Sequence, residues 1–561
     1  MISRRPNLPA RLACVVAALA LAAACSEAGS SDGPARHAAG APRAALFEPM
    51  PQDLASMACG RPEGPTILEV NGGGLALFDA DGDGDMDLLL VIPGPFPATG
   101  VATGRTSRLY RNDGGRLVDV TEGSGVDLPG FCNGVAVADV DGDGRRDLYV
   151  TRWGGNALLR NLGDCRFEEV PDAAGAAGGA RDWSTSALFV DIDRDGDMDL
   201  YVANYLDFDP DHPPMHGQDG RQCLWQNLPV MCGPQGLSPQ AHRFWRNDGG
   251  RFTEATAEAG FGAPASFGLG AIDGDWNGDG WPDVFASNDS MPNLLFLSRG
   301  DGTVREAGLL SGAALNARGR ETAGMGIASG DSDGDGDEDI VVTTFSLEPT
   351  EFFVNRGGRF SDDADALGVG APSRMMLGWG AAFADLDLDG DLDLLTANGH
   401  VYPQADTPGT GTSYAQPTQL WLNDGGGRFA VTPWAGDAPA VSRALALGDL
   451  DDDGVPDLVI ARLRGPPAVW RGAADPARAL QVRVAGPPGN PDGCGTVLRL
   501  KDARGERWWR VRTSGGYQAA CDPRATFAWR GPATLEATFP DGRTTSRAVE
   551  APGKLLLEAP R

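Results

Sequence analysis

Histidine is scarce in this chain, with five residues in 561. No G-x-S-x-G, no H-E-x-x-H and no phosphate-cradling glycine loop ahead of a helix occurs. The chain therefore lacks the familiar arrangements for acyl transfer, zinc hydrolysis and nucleotide binding. No two cysteines form a C-x-x-C, so neither a zinc knuckle nor a dithiol redox motif is indicated. Basic residues are few: 47 Lys and Arg stand against 77 Asp and Glu, a formal net charge of −30. That is the wrong sign for a nucleic-acid partner, because phosphate binding needs a basic surface. The apolar run Leu12 to Ala24 is too short to span a bilayer as a stable helix.

What the chain has in quantity is aspartate at one fixed spacing. The phrase D-x-D/N-x-D-G-x-x-D occurs seven times, beginning at Asp79, Asp139, Asp191, Asp275, Asp331, Asp385 and Asp449. Positions one, three, five and nine offer side-chain oxygens and position six is glycine, the layout of a tight loop around a calcium-sized cation that takes six to eight oxygen ligands. The expected ligands are Asp79, Asp81, Asp83 and Asp87; Asp139, Asp141, Asp143 and Asp147; Asp191, Asp193, Asp195 and Asp199; Asp275, Asn277, Asp279 and Asp283; Asp331, Asp333, Asp335 and Asp339; Asp385, Asp387, Asp389 and Asp393; and Asp449, Asp451, Asp453 and Asp457. Position seven is Asp85, Arg145, Asp197, Trp281, Asp337, Asp391 or Val455, a variety that only a backbone carbonyl ligand tolerates. The loops hold 27 ligand aspartates, which explains much of the acidity. A merely solvated acidic surface would not repeat one spacing seven times. Up to seven calcium ions, one per repeat, are expected. They would be structural, since four empty carboxylates crowded together repel one another and raise one another's pKa. Asn277 removes one charge, so the fourth loop should bind more weakly.

An EF-hand needs a bidentate Glu at position twelve and a following helix. Here position twelve is Leu90, Val150, Val202, Ala286, Val342, Thr396 or Ile460, within a strand-like run, so the helical calcium modules are excluded. A third and fourth strand follow each loop around an Asn-Asp-Gly-Gly turn, as at Asn112, Asn247 and Asn423, which is a strong hairpin signal. Four antiparallel strands repeated seven times predict an all-β fold, a seven-bladed β-propeller over 46–477. The segment Leu46-Phe47-Glu48 reads as a fourth strand and is expected to complete the seventh blade. Loop-to-loop spacings are 60, 52, 84, 56, 54 and 64 residues. The long one marks an insertion in blade 3, about 204–242, with Trp225 expected to be exposed. From about Ala479 period-two runs without the Asp phrase predict a small β domain, 478–561.

Arg4, Arg5 and Arg11 precede the short apolar run, which ends Leu21-Ala-Ala-Ala-Cys25. This resembles a bacterial lipobox, implying a signal peptide over 1–25 and lipidation of Cys25. A plain signal peptide is the alternative, and either form implies export. Residues 26–45, rich in Ala, Gly, Ser and Pro, read as a flexible tether. In an oxidising compartment disulfides are permitted. Cys223 and Cys232 are expected to pair within the insertion, and Cys494 and Cys521 within the C-terminal domain. Cys59, Cys132 and Cys165 leave one thiol over.

The repeats resemble the FG-GAP/VCBS family, calcium-loop propeller blades also found in integrin α heads. The C-terminal segment resembles the ASPIC/UnbV domain through Gly489-Asn490, Gly493, Gly495, Gly516-Tyr517, Asp522-Pro523, Phe527 and Phe539-Pro-Asp-Gly542. The order of the two, with Cys232-Gly-Pro-Gln-Gly-Leu237 in the insertion, is similar to bacterial relatives of the cartilage acidic protein family. Cys494 and Cys521 stand where that family has other residues, which supports a local disulfide. The resemblance implies calcium binding and an extracytoplasmic role in adhesion or interaction.

No catalytic residue is assigned and the chain is not expected to be an enzyme. His212 and His216, beside Asp209 and Asp211, read as polar surface rather than a transition-metal patch, and His400 as a structural residue rather than one facing the axial channel. Arg299-Gly-Asp301 falls where sister blades have their turn. The expected function is that of an exported, lipid-anchored, monomeric adhesion, scaffold or interaction module, in the outer membrane, facing the periplasm or at the cell surface. Its partner would be a protein or glycan of the envelope or exterior. The alternative is a glycan-binding protein or enzyme using the axial face of the propeller.

Overall fold

A computed structural model describes residues 46–57, 59, 65–94, 107–218, 220–434 and 438–560. The expected signal segment, Cys25, the tether and His37 lie outside the described residues. No helix among the described residues is long and apolar enough to cross a membrane.

Each Asp phrase runs into aliphatic and β-branched residues, such as Asp87-Leu-Leu-Leu90 and Asp339-Ile-Val-Val342, and each of these runs is a buried strand. The register is constant. The ninth-position aspartate pairs with the residue just before the loop: Phe78 with Asp87, Ala138 with Asp147, Val190 with Asp199, Gly274 with Asp283, Gly330 with Asp339, Ala384 with Asp393 and Gly448 with Asp457. The Asp phrase is thus the hairpin joining the first two strands of every blade. A third and a fourth strand complete each sheet antiparallel, giving seven sheets with the topology of propeller blades, six of four strands and the first widened to five by Ala519–Ala520. The first strands of consecutive sheets pack on one another in a closed circuit, from Leu75–Phe78 through Phe131–Ala138, Ser184–Val190, Gly268–Gly274, Ile327–Gly330, Gly378–Ala384 and Ser442–Gly448 back to Leu75–Phe78. The strand Phe47–Pro49 supplies the outermost position of the seventh sheet, with Phe47 opposite Gly472 and Pro49 opposite Trp470. Closure by residues from both ends of the repeat region leaves no open edge between first and last blade.

Residues Ala479 to Glu558 build two further sheets. Ala479–Ala485 lies parallel to Gly553–Glu558 and antiparallel to Ala525–Ala528, and a four-stranded antiparallel sheet has Val497–Asp502 between Gly505–Arg510 and Ala533–Thr538. From this second body an arm, Thr513 to Asp522, enters the ring and meets the first strand of every blade. Ala519-Ala520 pairs in parallel with Leu75-Ala76. Thr513 Oγ1 donates to the Val137 carbonyl at 3.1 Å, and the Gln518 N–H to Ser186 Oγ at 3.0 Å. The Ala271 N–H donates to the Gly516 carbonyl at 3.1 Å. Tyr517 lies 5.2 Å from Trp379, ring to ring, and the Asp522 N–H reaches the Leu447 carbonyl. A Cβ on Gly516 would sit 2.1 Å from the Ile327 carbonyl oxygen, so only glycine fits against blade 5 at φ +72. Tyr517 is fully buried, its hydroxyl donating to the Asn71 carbonyl at 2.9 Å. Burying such a ring contributes about 1.5–3 kcal/mol.

Two expectations fail. Cys494 and Cys521 are free thiols. The arm carries Cys521 to the axial core, while Cys494 is held by Asn490 and packs beside Ala138, Val140 and Met198. Trp225 is buried, not exposed: the insertion folds back over the ring and sets this ring 4.7 Å from His400 and 5.9 Å from Tyr402, with Gln226 donating to the Thr410 carbonyl. The Cys223–Cys232 disulfide is present, with a Cα–Cα distance of 5.1 Å. Cys59, Cys132 and Cys165 are all free and buried.

Candidate metal centre

The four liganding positions of each loop do different jobs, and the local hydrogen bonds show which. The ninth-position carboxylate clamps two strands. In loop one, Asp87 Oδ2 accepts the Ala80 N–H and Oδ1 accepts the Asn112 N–H, both at 2.8 Å. The same pair of bonds recurs at Asp147, Asp199, Asp283, Asp339, Asp393 and Asp457. The fifth-position carboxylate accepts the N–H of position seven in all seven loops, from Asp83 with Asp85 to Asp453 with Val455. Position seven is engaged through its backbone, which accounts for its free choice of side chain. First-position carboxylates take N–H groups of the loop glycines, as Asp139 does from Gly142 and Gly144.

Ligand oxygens converge. One oxygen each from Asp79, Asp81 and Asp83 lies within 4.8 Å of the others, and the same holds for Asp139, Asp141 and Asp147, for Asp191, Asp193 and Asp195, and for Asp331, Asp333 and Asp335. Two oxygens on one calcium ion at about 2.4 Å each can be at most about 4.8 Å apart, so these groups span one ion. Among the described residues of the Asp loops, five buried carboxylate oxygens have no hydrogen-bond partner: Oδ1 of Asp141, Asp191, Asp193, Asp385 and Asp451. Burial is the largest influence on the ninth-position groups, pushing Asp87, Asp147, Asp339 and Asp457 up to about 7, Asp199 to about 8 and Asp393 to about 9. Asp191, Asp331 and Asp453 are pushed up to about 6, again mainly by burial. Without a cation each loop holds more negative charge than its surroundings stabilise. All-oxygen donors with unused lone pairs fit a hard divalent cation.

Comparison with known proteins agrees with the repeat pattern. An FG-GAP-like repeat model matches residues 79–150, 139–202, 275–342 and 331–396. The chain carries FG-GAP-like repeats. It is also distantly homologous to cartilage acidic protein 1, at 25% identity over 452 residues of the human protein and 24% over 449 of the mouse protein, 75% of this chain in each case. The chain spans 62% and 63% of the length of these relatives. Among solved structures, an Agrocybe aegerita lectin that recognises non-reducing terminal N-acetylglucosamine aligns with a TM-score of 0.41 and 17% identity, covering 65% of this chain and 87% of the lectin.

Two features of the FG-GAP loops escaped sequence reasoning. First, the Asn that opens the turn between the third and fourth strands does more than shape a hairpin: its side-chain N–H reaches the second-position carbonyl of the preceding blade's loop. Asn112 donates to Leu450, Asn161 to Ala80, Asn247 to Val140, Asn355 to Trp276 and Asn423 to Ser332, at 2.7–3.1 Å. Blades 4 and 7 have Ser298 and Gly472 at this place, each giving its N–H to the ninth-position aspartate as the asparagines do. Second, the body formed by 479–558 lies on the loops. Trp508 Nε1 donates to Asp331 at 2.8 Å and Gln481 to Asp449 at 2.9 Å, while Arg510 and Arg483 stand 3.7 and 3.9 Å from Asp275 and Asp79. A signal was available, since residues 478–561 hold fourteen Arg and Lys against eight Asp and Glu in an otherwise acidic chain. Glu338, just before the ninth position of loop five, is the strongest tie: its carboxylate accepts Arg510 Nε at 2.7 Å and Arg512 Nη2 at 2.6 Å.

Among the described residues the histidines take no part. His212 meets Asp209 on the surface, and His216 accepts the Cys223 N–H. Burial keeps His400 at about 3 and therefore neutral, bonded to Ser346. Asp301 accepts from Thr303 within the blade 4 turn.

Proposed function

We propose that each Asp loop binds one calcium ion, that the ions hold a seven-bladed propeller together, and that the protein is an exported, lipid-anchored adhesion or interaction module. The observation that carries the calcium reading is the set of buried carboxylate oxygens in loops two, three, six and seven that have no hydrogen-bond partner. A bound cation neutralises the first, third, fifth and ninth carboxylates and cross-links them. The ninth aspartate transmits that restraint to the third strand, and the turn Asn transmits it to the next blade. Asn277 makes loop four the weakest site.

The interaction role is favoured over axial catalysis because the arm Thr513 to Asp522 occupies the centre of the ring and the blade 3 insertion packs across the end opposite the Asp loops. Partners are then left with the blade flanks and the C-terminal body. A second reading, glycan binding, draws on a cleft of about 180 Å³ where Trp508, Trp509, Asp391 and Arg530 meet between loops five and six and the C-terminal body. Calcium titration by calorimetry, followed by thermal unfolding with and without chelator, tests the metal claim. Several calcium equivalents and a large fall in unfolding temperature on chelation are expected. An unchanged unfolding temperature would refute it.

A further inference from the structure

One strand of the C-terminal body, Gly505–Arg510, meets two neighbouring Asp loops with different chemistry. Side chains two apart on a strand share a face, and Trp508 and Arg510 both reach the ring. Trp508 brings loop five a neutral donor, its Nε1–H bonding Asp331 Oδ2 at 2.8 Å. Arg510 brings loop four a full charge: it stands 3.7 Å from Asp275 Oδ2 and is held there by Glu338. Counting lone pairs separates these two first-position carboxylates. An ionised carboxylate offers about four acceptor sites. At Asp331, Oδ2 accepts the Gly336 N–H at 3.1 Å as well as Trp508, and Oδ1 accepts the Gly334 N–H at 2.8 Å. Both lone pairs of Oδ2 are therefore engaged, and one on Oδ1 is left. At Asp275, Oδ1 accepts the Asp279 N–H at 3.1 Å and Oδ2 the Gly280 N–H at 2.9 Å, so the body adds a nearby charge and no hydrogen bond.

We propose that Trp508 is a positioning residue for loop five, fixing the Asp331 carboxylate ahead of the cation, so that loop five is the tightest calcium site while Arg510 helps to make loop four the weakest. A carboxylate held by three donors has less freedom to lose on binding a metal than one that turns freely. A neutral donor also opposes an incoming cation less than a guanidinium at the same distance does. Arg510 thus adds to what Asn277 already takes from loop four. The inference rests on the calcium reading of the loops and goes beyond it, because it makes the sites unequal and ties one of them to the C-terminal body. The tie runs both ways: the factor by which Trp508 raises calcium affinity is the factor by which calcium favours the seating of that body.

The test is calorimetric calcium titration of the full-length protein against a competing chelator, with the Trp508 indole N–H followed by NMR on protein carrying isotope-labelled tryptophan. Trp508→Phe keeps a ring in place and removes the donor. The tightest equivalent should weaken about tenfold while the others hold. The indole resonance that this variant lacks should shift over the first equivalent of calcium. Glu338→Gln, which loosens the same body without touching a calcium ligand, should leave the tightest equivalent in place. An unmoved tightest equivalent in Trp508→Phe, an indole signal that shifts only with the last equivalents, or an equal loss in Glu338→Gln would each overturn the proposal. Calcium uptake with an unmoved tight equivalent sinks this inference alone; no uptake by the wild type sinks the calcium reading and this inference with it.

Discussion

Replacing Glu338 with Gln should loosen the C-terminal body from the ring. Glu338 is 1% exposed and accepts hydrogen bonds from Arg510, Arg512 and Ser329. Burial alone would push its carboxyl up, but the charges of Arg512 and Arg510 outweigh burial and hold it down at about 2, from an ordinary value of 4.5. A depression of that size corresponds to roughly 3 kcal/mol. Removing one partner of a buried pair, which strands the other charge, costs about 3–5 kcal/mol. The two routes agree on about 3 kcal/mol. Because the folded value is depressed, the contribution is complete above pH 4.5 and is lost as pH falls towards 2. Thermal unfolding of wild type and Glu338→Gln should therefore differ by several degrees at pH 7 and converge near pH 2–3. Limited proteolysis at pH 7 should cut the variant first within 505–524. A difference below about 0.5 kcal/mol at neutral pH, or one that does not shrink on acidification, would show that the arginines find other partners and that the tie is not what seats the arm.

Burial pushes Glu351 up to about 8, with Thr322 and Asn293 donating to it. A raised carboxyl costs stability progressively as pH rises from about 4.5 to 8, so Glu351→Gln should be neutral at pH 4 and stabilising by about 2–4 kcal/mol at pH 8, read from denaturant midpoints. Asn161→Ala removes the staple between blades 1 and 2 with its bonds to Ala80 and Arg146, and should cost about 1–3 kcal/mol in the same assay. Tyr517→Phe should lose about 1 kcal/mol with the Asn71 bond, whereas Tyr517→Ala should lose about 3–5 kcal/mol; equal effects would place the ring of Tyr517 outside the core.

Blade architecture was legible because every blade repeats the same local text: an Asp hairpin of fixed length, aliphatic strands on both sides and a glycine turn. Even the joining of Phe47–Pro49 to the last blade could be read, since that segment matches the fourth-strand pattern. What could not be read are the contacts between distant parts that share no pattern. The arm is built from Gly516, Tyr517 and Gln518, whose meaning depends on carbonyls and rings supplied by seven different strands. Trp225 looks like loop surface until His400 and Tyr402 arrive beneath it from about 175 residues later. Cys494 and Cys521 are the natural pair by count, yet one chain segment belongs to the body and the other to the ring. At the metal loops the residue types were legible, but the partition of their lone pairs between backbone and cation was not.

The arm has one more consequence, for the order in which the molecule can be finished. Residues 46–49 seal the circle and residues 513–522 fill its middle, so everything made between them must wait for both. Until the arm arrives, the N–H groups of Leu75 and Ala271 and the ring of Trp379 face an empty bore. A ribosome that has delivered all the repeats has still delivered an unfinished core, and a chain cut short before Thr513 would be marked by that hollow for quality-control proteases.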